Sequence, residues 1–172
     1  MPDAKDVALK IEDRINSLIN VFKESHEDVE EKKRLGVVSE EEHNGMGAIK
    51  GIFERQIAAQ KAAHKLSDEL IDTPPEPGTL IGWDDPWMQH MTMWLDAMID
   101  EVQEVRGWLN WKSWKKPKEI TENDILNARL ELIDILHFWI NAYAMLGGKP
   151  ENIVAEYHAK RDENDDRQKR GY

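Results

Sequence analysis

A run of apolar residues that contains two carboxylates is the feature that most constrains how this chain can fold. Between Leu130 and Leu136, every position except Glu131 and Asp134 is Leu or Ile. Residues three apart lie on the same side of a helix, so the two acids point the same way. Ionised carboxylates are almost never buried without a partner, because desolvation costs several kcal/mol per ion. We therefore expect a group from outside this segment to neutralise them.

A second pair of acids, Glu101 and Glu104, has the same spacing in an earlier helical segment. The loop between the two segments is short, which favours an antiparallel pair of helices. At a rise of about 1.5 Å per residue, the two acid pairs then lie within one or two turns of the same depth. Four acidic oxygen ligands suit a hard divalent cation, and Mg²⁺ is the usual one beside phosphates. The alternative is that both pairs face water and that their spacing is accidental. Asp96 and Asp100 lie on other faces of the helix, and we expect them to be solvated.

Composition excludes several classes of function. The 172 residues are enough for one domain with a substantial core, and the formal net charge of -11 argues against non-specific nucleic-acid binding. There is no cysteine, so disulfides and thiolate metal sites are excluded, and a reducing cytoplasm is the expected location. The longest apolar run, Ile135 to Leu146, is interrupted by His137 and Asn141 and is too short to span a membrane.

The apolar spacing predicts helices throughout and no strands, so the expected fold is an all-α helical bundle in a single domain over residues 1–172. Residues 1–72 are expected to form a helical hairpin whose second helix begins at a capping box of Ser39 and Glu42 and fades by Ile71. A proline-rich linker covers residues 73–85. Residues 86–148 form the helix pair that carries the acids, and residues 149–172 form a closing segment.

Helix ends in the second half of the chain are marked by capping residues. Asp85 followed by Pro86 predicts the start of a helix that ends near Trp108. Thr121 with Asp124 predicts the start of the next helix, which should be closed by residues 147–148, both Gly. A last helix is expected from Pro150 to about Lys169.

Four stretches of the chain together resemble the dimeric, all-α dUTP diphosphatases, which are relatives of the MazG-type nucleotide pyrophosphohydrolases. The acidic segments are Trp94-Leu95-Asp96-Ala97-Met98-Ile99-Asp100-Glu101-Val102-Gln103-Glu104 and Glu131-Leu132-Ile133-Asp134-Ile135-Leu136-His137-Phe138. The sharper elements are Trp111-Lys112-Ser113-Trp114-Lys115 and the closing series Lys160, Asn164, Arg167-Gln168 and Gly171-Tyr172. The resemblance covers roughly residues 53–172.

This resemblance implies a function and a set of ligands. Glu101, Glu104, Glu131 and Asp134 would hold Mg²⁺ ions that clamp a triphosphate, and dUTP would be hydrolysed to dUMP and pyrophosphate. Glu101 or Glu104 would accept the proton of the attacking water. A homodimer encoded by a bacterium or a phage is expected. The rival functions are a related pyrophosphohydrolase with another base preference, such as dCTP, and a non-catalytic helical interaction protein.

The resemblance also implies substrate contacts outside the acids. Lys112 and Lys115 would hold phosphate, with dimer packing as the equal alternative. Lys160, Asn164 and Arg167 recur on one face of the last helix and would close over the triphosphate, with a purely solvent-exposed surface as the alternative. Tyr172 belongs to the same closing series and would also contact the substrate.

Base recognition follows the resemblance less closely, since His64 or Ala63 stands where the family has an Asn. Gln60 is the expected base ligand, and His64 either replaces the Asn or lies on a helix surface. Trp94 would stack on the base or ribose, or else pack in the core. His137 and Asn141 are expected in the core, with a role as ligand as the alternative for each.

Overall fold

The computed structural model of the chain describes residues 40–63, 66–67, 69–71 and 74–171, without the side chains of residues 40–46. Within these ranges it contains α-helices and no strand, which confirms the predicted all-α class. The helices are α1 (Glu40–Ala62), α2 (Pro86–Trp108), α3 (Glu122–Met145) and α4 (Pro150–Lys169). None of them combines the length and apolar character needed to cross a bilayer. The predicted first helix and the capping box at Ser39 lie outside the described residues.

The chain divides into two compact units. One unit is Arg55–Gly147, which contains the end of α1 and all of α2 and α3. The other unit combines the chain up to Glu54 with the chain from Gly148 onward, which contains α4. In this second unit Phe53 of α1 is buried, and so are Ala155 and Ala159, which lie one turn apart on α4.

The helix α1 ends at Ala62, ahead of Ile71, the residue by which the sequence predicts that it has faded. Beyond the helix Leu66 and Ile71 are buried, and the Leu70 amide donates to the Ser67 carbonyl in a turn. From residue 74 to Asp85 the predicted linker has no helix.

The predicted capping residues fix the ends of α2 and α3. Asp85 accepts a hydrogen bond from the Trp87 amide at 2.8 Å, and Pro86 occupies the first helical position. At α3, the Thr121 hydroxyl accepts from the Asp124 amide at 3.1 Å, while Asp124 accepts from the Thr121 amide at 2.9 Å. These reciprocal bonds form the expected capping box.

Bonds from Thr121 and from the Lys118 ammonium, which lies 2.9 Å away, lower the pKa of Asp124 to about 2. The other end of α3 is closed at Gly147, whose φ of 78° lies in the left-handed region that favours glycine. A Cβ at this position would lie 3.3 Å from Pro74. The start of the linker therefore rests against the end of α3.

Helices α2 and α3 pack against each other in antiparallel orientation. Trp87 Nε1 donates to the Met145 carbonyl at 3.3 Å near one end of the pair. Halfway along, the ring of Trp94 stacks on Phe138 with 5.9 Å between centroids. Along α2 from Trp87 to Trp94, the contacted residue on α3 moves back from Met145 to Phe138. The two helices therefore run in opposite directions. The predicted antiparallel arrangement is confirmed.

The first half of α3 turns its apolar residues outward, contrary to the expectation that they form core. Leu130, Leu132 and Ile133 are each about half exposed, at 51%, 53% and 48%. Glu131 is partly buried on the side that faces α2. The acids therefore occupy the inner side of this half, and the apolar residues are left on the outside.

Candidate functional site

Three carboxylates from α2 and α3 converge in the space between the two helices. One oxygen each from Glu101, Glu104 and Glu131 lies within 4.8 Å of the oxygens from the other two. Glu101 and Glu131 are partly buried, and Glu104 is exposed. Three hard oxygen donors this close together can bind a metal ion. The structure thus brings together three of the four acids that were singled out as metal ligands.

The fourth acid, Asp134, lies one turn beyond Glu131 and contacts a histidine. Its Oδ1 is 3.2 Å from Nδ1 of His137, and the two side chains are 47% and 42% exposed. The prediction that His137 lies in the core is wrong, because a residue three positions after Asp134 shares the side of the helix that Asp134 occupies. The imidazole therefore lies beside a candidate metal ligand.

The carboxylates act on one another electrostatically. Partial burial, followed by the charges of Glu104, Asp134 and Glu131, raises the pKa of Glu101 above its ordinary value of 4.5. Asp100 adds a smaller contribution. Like charges favour the protonated form of a neighbour, and a cation among them would remove that effect.

Glu131 is held in place by an indole group. Trp108 Nε1 donates to Glu131 Oε1 at 3.0 Å across the helix pair. An indole N–H can only donate, so this contact requires an acceptor and fixes one oxygen of the carboxylate. From the sequence, Trp108 is predicted only as the end of a helix. The position of Trp108 at the end of one predicted helix, opposite the acids of the next, is the sequence signal that could have indicated this contact.

A group of buried amides lies deeper in the same unit. Gln56 Nε2 donates to Asn141 Oδ1 at 3.3 Å, and Asn141 has no exposed surface. The expected burial of Asn141 is confirmed, but its Nδ2 has no hydrogen-bond partner in the described part of the chain. Gln60 Oε1 and Trp94 Nε1 are also buried and have no partner there. Gln56 carried no signal in the sequence, because only the fold brings it to a residue 85 positions away.

The loop after α2 forms a basic pocket of about 530 Å³. Asn110 braces this loop by bonding to both the carbonyl and the amide of Lys118, at 2.8 and 3.0 Å. The guanidinium of Arg106 lies 3.7 Å from the ring centroid of Trp111. The lining residues are Gly107, Leu109, Asn110, Trp111, Lys112, Ser113, Lys115, Lys116, Pro117 and Lys118. Both lysines predicted to bind phosphate therefore line one pocket.

The closing residues lie on α4, in the other unit. Lys160 is exposed, and Asn164 is partly buried. Arg167 Nε donates to Glu163 at 2.9 Å, and Arg170 donates to the same oxygen at 3.2 Å. Arg167 is thus paired with an acid of its own helix. The candidate ligands His64 and Tyr172 lie outside the described residues.

Comparison with known proteins gives partial matches to phage enzymes. The chain is 40% identical over 57 residues to a dCTP pyrophosphatase of Enterobacteria phage LZ5, which is 33% of each protein. It is 39% identical over 54 residues to the dCTP pyrophosphatase of Enterobacteria phage T4, which is 31% of this chain and 32% of the relative. The chain thus matches about a third of the length of these curated relatives. No protein-family model matches the chain, and no solved structure does.

Proposed function

We propose that this chain is a metal-dependent pyrophosphohydrolase that cleaves a pyrimidine deoxynucleoside triphosphate to the monophosphate and pyrophosphate. The proposal rests on the three carboxylate oxygens that meet within 4.8 Å of one another between α2 and α3. The names of the two phage relatives support the same class of reaction. Acidic clusters on helix surfaces are common, but this one lies between two packed helices.

The donors present fit Mg²⁺. Glu101, Glu104 and Glu131 offer only carboxylate oxygens, the ligands that hard cations prefer, and Asp134 would complete the set that the family resemblance implies. Partial burial and, after it, the like charges of the neighbouring acids raise the pKa of Glu101, and a bound cation would offset both effects. When bound, Mg²⁺ would neutralise phosphate oxygens and orient a water for in-line attack.

The protein's own groups would position the substrate and move the proton. Trp108 fixes Glu131, so that one ligand is oriented before substrate arrives. Glu101 or Glu104 would take the proton from the attacking water, and the raised pKa of Glu101 suits a proton acceptor. Lys112 and Lys115, which line the basic pocket, would bind phosphate oxygens. Lys160, Asn164, Arg167 and Tyr172 would act as the closing motif.

Two pyrimidine bases are candidates for the substrate. The relatives' names make dCTP the first candidate, and the resemblance of the tryptophan–lysine element and the closing series to dUTP diphosphatases makes dUTP the second. Both are pyrimidine nucleotides. A base contact from Gln60 would serve either substrate, since an amide can donate or accept.

We propose in addition that the chain works as a homodimer. Leu95, Ile99 and Val102 form a stripe on α2 at helical spacing, and each is between 42% and 57% exposed. Leu132 and Trp139 add exposed apolar surface on α3. Contiguous apolar surface of this kind usually marks an interface. A second copy of the chain would cover it.

A single assay separates the candidate functions. The protein is incubated with each of dCTP, dUTP, dTTP, dATP and dGTP in Mg²⁺, and pyrophosphate is measured, with Glu131→Gln as the matched inactive control. We expect release from dCTP or dUTP by the parent, and release about 1,000-fold slower by the variant. No release from any nucleotide would favour the non-catalytic helical interaction protein. Fastest release from a purine nucleotide would contradict the pyrimidine assignment.

A further inference from the structure

Among the described residues of the Arg55–Gly147 unit, three buried polar atoms have no hydrogen-bond partner. They are Gln60 Oε1, Trp94 Nε1 and Asn141 Nδ2. Asn141 has no exposed surface, and Trp94 is 4% exposed. Most buried polar atoms in proteins are hydrogen-bonded, because an unsatisfied one loses its interactions with water and gains nothing. Three such atoms in one unit therefore call for a ligand that supplies their partners.

The three residues are related by two side-chain contacts and by neighbouring positions on their helices. Gln60 lies one turn after Gln56 on α1, and Gln56 Nε2 donates to Asn141 Oδ1. Asn141 lies one turn after Phe138 on α3, and the ring of Trp94 stacks on Phe138. Gln56 has a specific effect within this series. Because it occupies Oδ1 of Asn141, the end of the amide left without a partner is the donor, Nδ2.

The depth of this group relative to the carboxylates suits a nucleotide. Trp94 lies seven residues before Glu101 on α2, and Asn141 lies seven residues after Asp134 on α3. In an antiparallel pair both displacements run in the same direction. At about 1.5 Å per residue they amount to roughly 10 Å. This is the scale of the sugar and first phosphate that would separate a base from metal-bound phosphates.

The chemistry of the three atoms favours a pyrimidine. Two of them are donors, Trp94 Nε1 and Asn141 Nδ2, and one is an acceptor, Gln60 Oε1. A matching base edge has two acceptors and one donor. Cytosine presents this set through O2, N3 and its N4 amino group, and uracil through O2, O4 and N3–H. Guanine presents two donors and one acceptor, and adenine only one of each on the corresponding edge.

We propose that Asn141, positioned by Gln56, recognises the base of the substrate through its amide N–H. This inference rests on the proposed function for the identity of the substrate, but the base contact can be measured without turnover. Asn141 would touch the base directly, whereas Gln56 acts as a positioning residue that presents the donor end of the Asn141 amide.

The test measures base preference in binding. Calorimetric titration in Mg²⁺ compares the α,β-imido analogues of dCTP, dUTP and dATP. In these analogues an N–H group replaces the oxygen that bridges the α and β phosphorus atoms, so the bridge is not hydrolysed. The variants are Asn141→Asp, which replaces the donor by an acceptor, and Gln56→Met, which removes the positioning bond. Asn123→Asp on the exposed first turn of α3 is the matched control. Circular dichroism establishes that each variant is folded, and Gln56→Met decides the test if Asn141→Asp does not fold.

We expect the parent to bind at least one pyrimidine analogue about 10-fold or more tightly than the dATP analogue. Each folded variant should lose roughly 10-fold of that preference, while the control keeps it. In Asn141→Asp the ratio between the dCTP and dUTP analogues should also shift, because the new acceptor favours a base with a donor at that place.

The outcomes separate this inference from the proposed function. A parent without base preference, or folded variants that keep the full preference, would overturn the role of Asn141 even if pyrophosphate is released. A preference that depends on Asn141 in a protein that releases no pyrophosphate would support the base site and overturn the enzymatic function. Unfolding of Asn141→Asp together with an unchanged preference in Gln56→Met would show that the amides are only structural.

Discussion

The two halves of α3 place their apolar residues in opposite ways. Around Glu131 the acids face α2, and Leu132 and Ile133 are half exposed. Around Asn141, the residues from 140 to 142 and from 144 to 145 are all buried, with Met145 completely so. One helix therefore serves as a wall of the candidate metal centre at its start and as core at its end.

This difference shows that an apolar run does not by itself reveal which side of a helix is inward. In the first half, carboxylates that repel one another face α2. The apolar surface of this half would be used by a second copy of the chain. In the second half, close packing provides stability, and the buried amides are the exception.

The largest expected effect comes from removing an acid of the first half. Glu131→Gln or Asp134→Asn should reduce pyrophosphate release about 1,000-fold, which corresponds to about 4 kcal/mol of lost transition-state stabilisation. Because one of the repelling charges is gone, the melting temperature without metal should be unchanged or higher. Mg²⁺ should then raise the melting temperature of the parent more than that of either variant. Equal shifts with Mg²⁺ in all three proteins would exclude these acids as ligands.

Alanine substitutions in the two halves should differ sharply in their effect on stability. Met145→Ala removes a fully buried side chain and should lower the free energy of unfolding by about 3 kcal/mol. Leu132→Ala removes a side chain that is 53% exposed and should change it by less than about 0.5 kcal/mol in dilute protein. Urea denaturation measures both values. If the proposed dimer covers Leu132, the decrease in the free energy of unfolding caused by Leu132→Ala should grow with protein concentration. A decrease that does not depend on concentration would count against that interface.

The start of α3 should depend on its cap. Thr121→Ala removes the hydroxyl that accepts from the Asp124 amide and should cost about 1 kcal/mol. The pKa of Asp124 is about 2 in the folded protein against 3.8 ordinarily, so the stability it contributes is present above pH 3.8 and is lost as the pH falls towards 2. Thermal melts of parent and variant between pH 2 and pH 6 should show a smaller acid loss in Thr121→Ala. Parallel curves would disprove the coupling.

The smallest expected effect has the opposite pH dependence and concerns Glu101. Its pKa is raised in the folded, metal-free protein, so the unfavourable contribution is absent below pH 4.5 and develops as the pH rises through the folded value. Glu101→Gln should remove this decline in stability, and Asp100→Asn should reduce it only slightly. Melts in chelator between pH 4 and pH 7 measure the difference. A decline that survives in Glu101→Gln would assign it to another group.

Local chemistry in the sequence predicts much of the fold. Asp85 with Pro86, Thr121 with Asp124, and Gly147 each act within a few residues, so the ends of α2 and α3 follow from them directly. The end of α1 at Ala62 has no such local mark, so the sequence bounds it only as lying ahead of Ile71.

The candidate site is predictable to the extent that it depends on helical spacing. The spacing of Glu101, Glu104 and Glu131 predicts that they share a depth on two antiparallel helices. The contact of Gln56 with Asn141 depends on how α1 packs on α3, and no local pattern reports that. The half-exposed position of His137 likewise follows from which side of α3 faces α2, which an apolar run leaves open.

The hydrogen bond from Trp108 to Glu131 gives the candidate metal centre an optical reporter of its own. Indole emission responds to the charge and polarity at its N–H, and here that group is bonded to a carboxylate that a cation would engage. Titration with Mg²⁺ should therefore change the tryptophan emission, and subtraction of the Trp108→Phe spectrum isolates this indole from the other six. Occupancy of the site can thus be followed in real time, without a label and independently of any nucleotide.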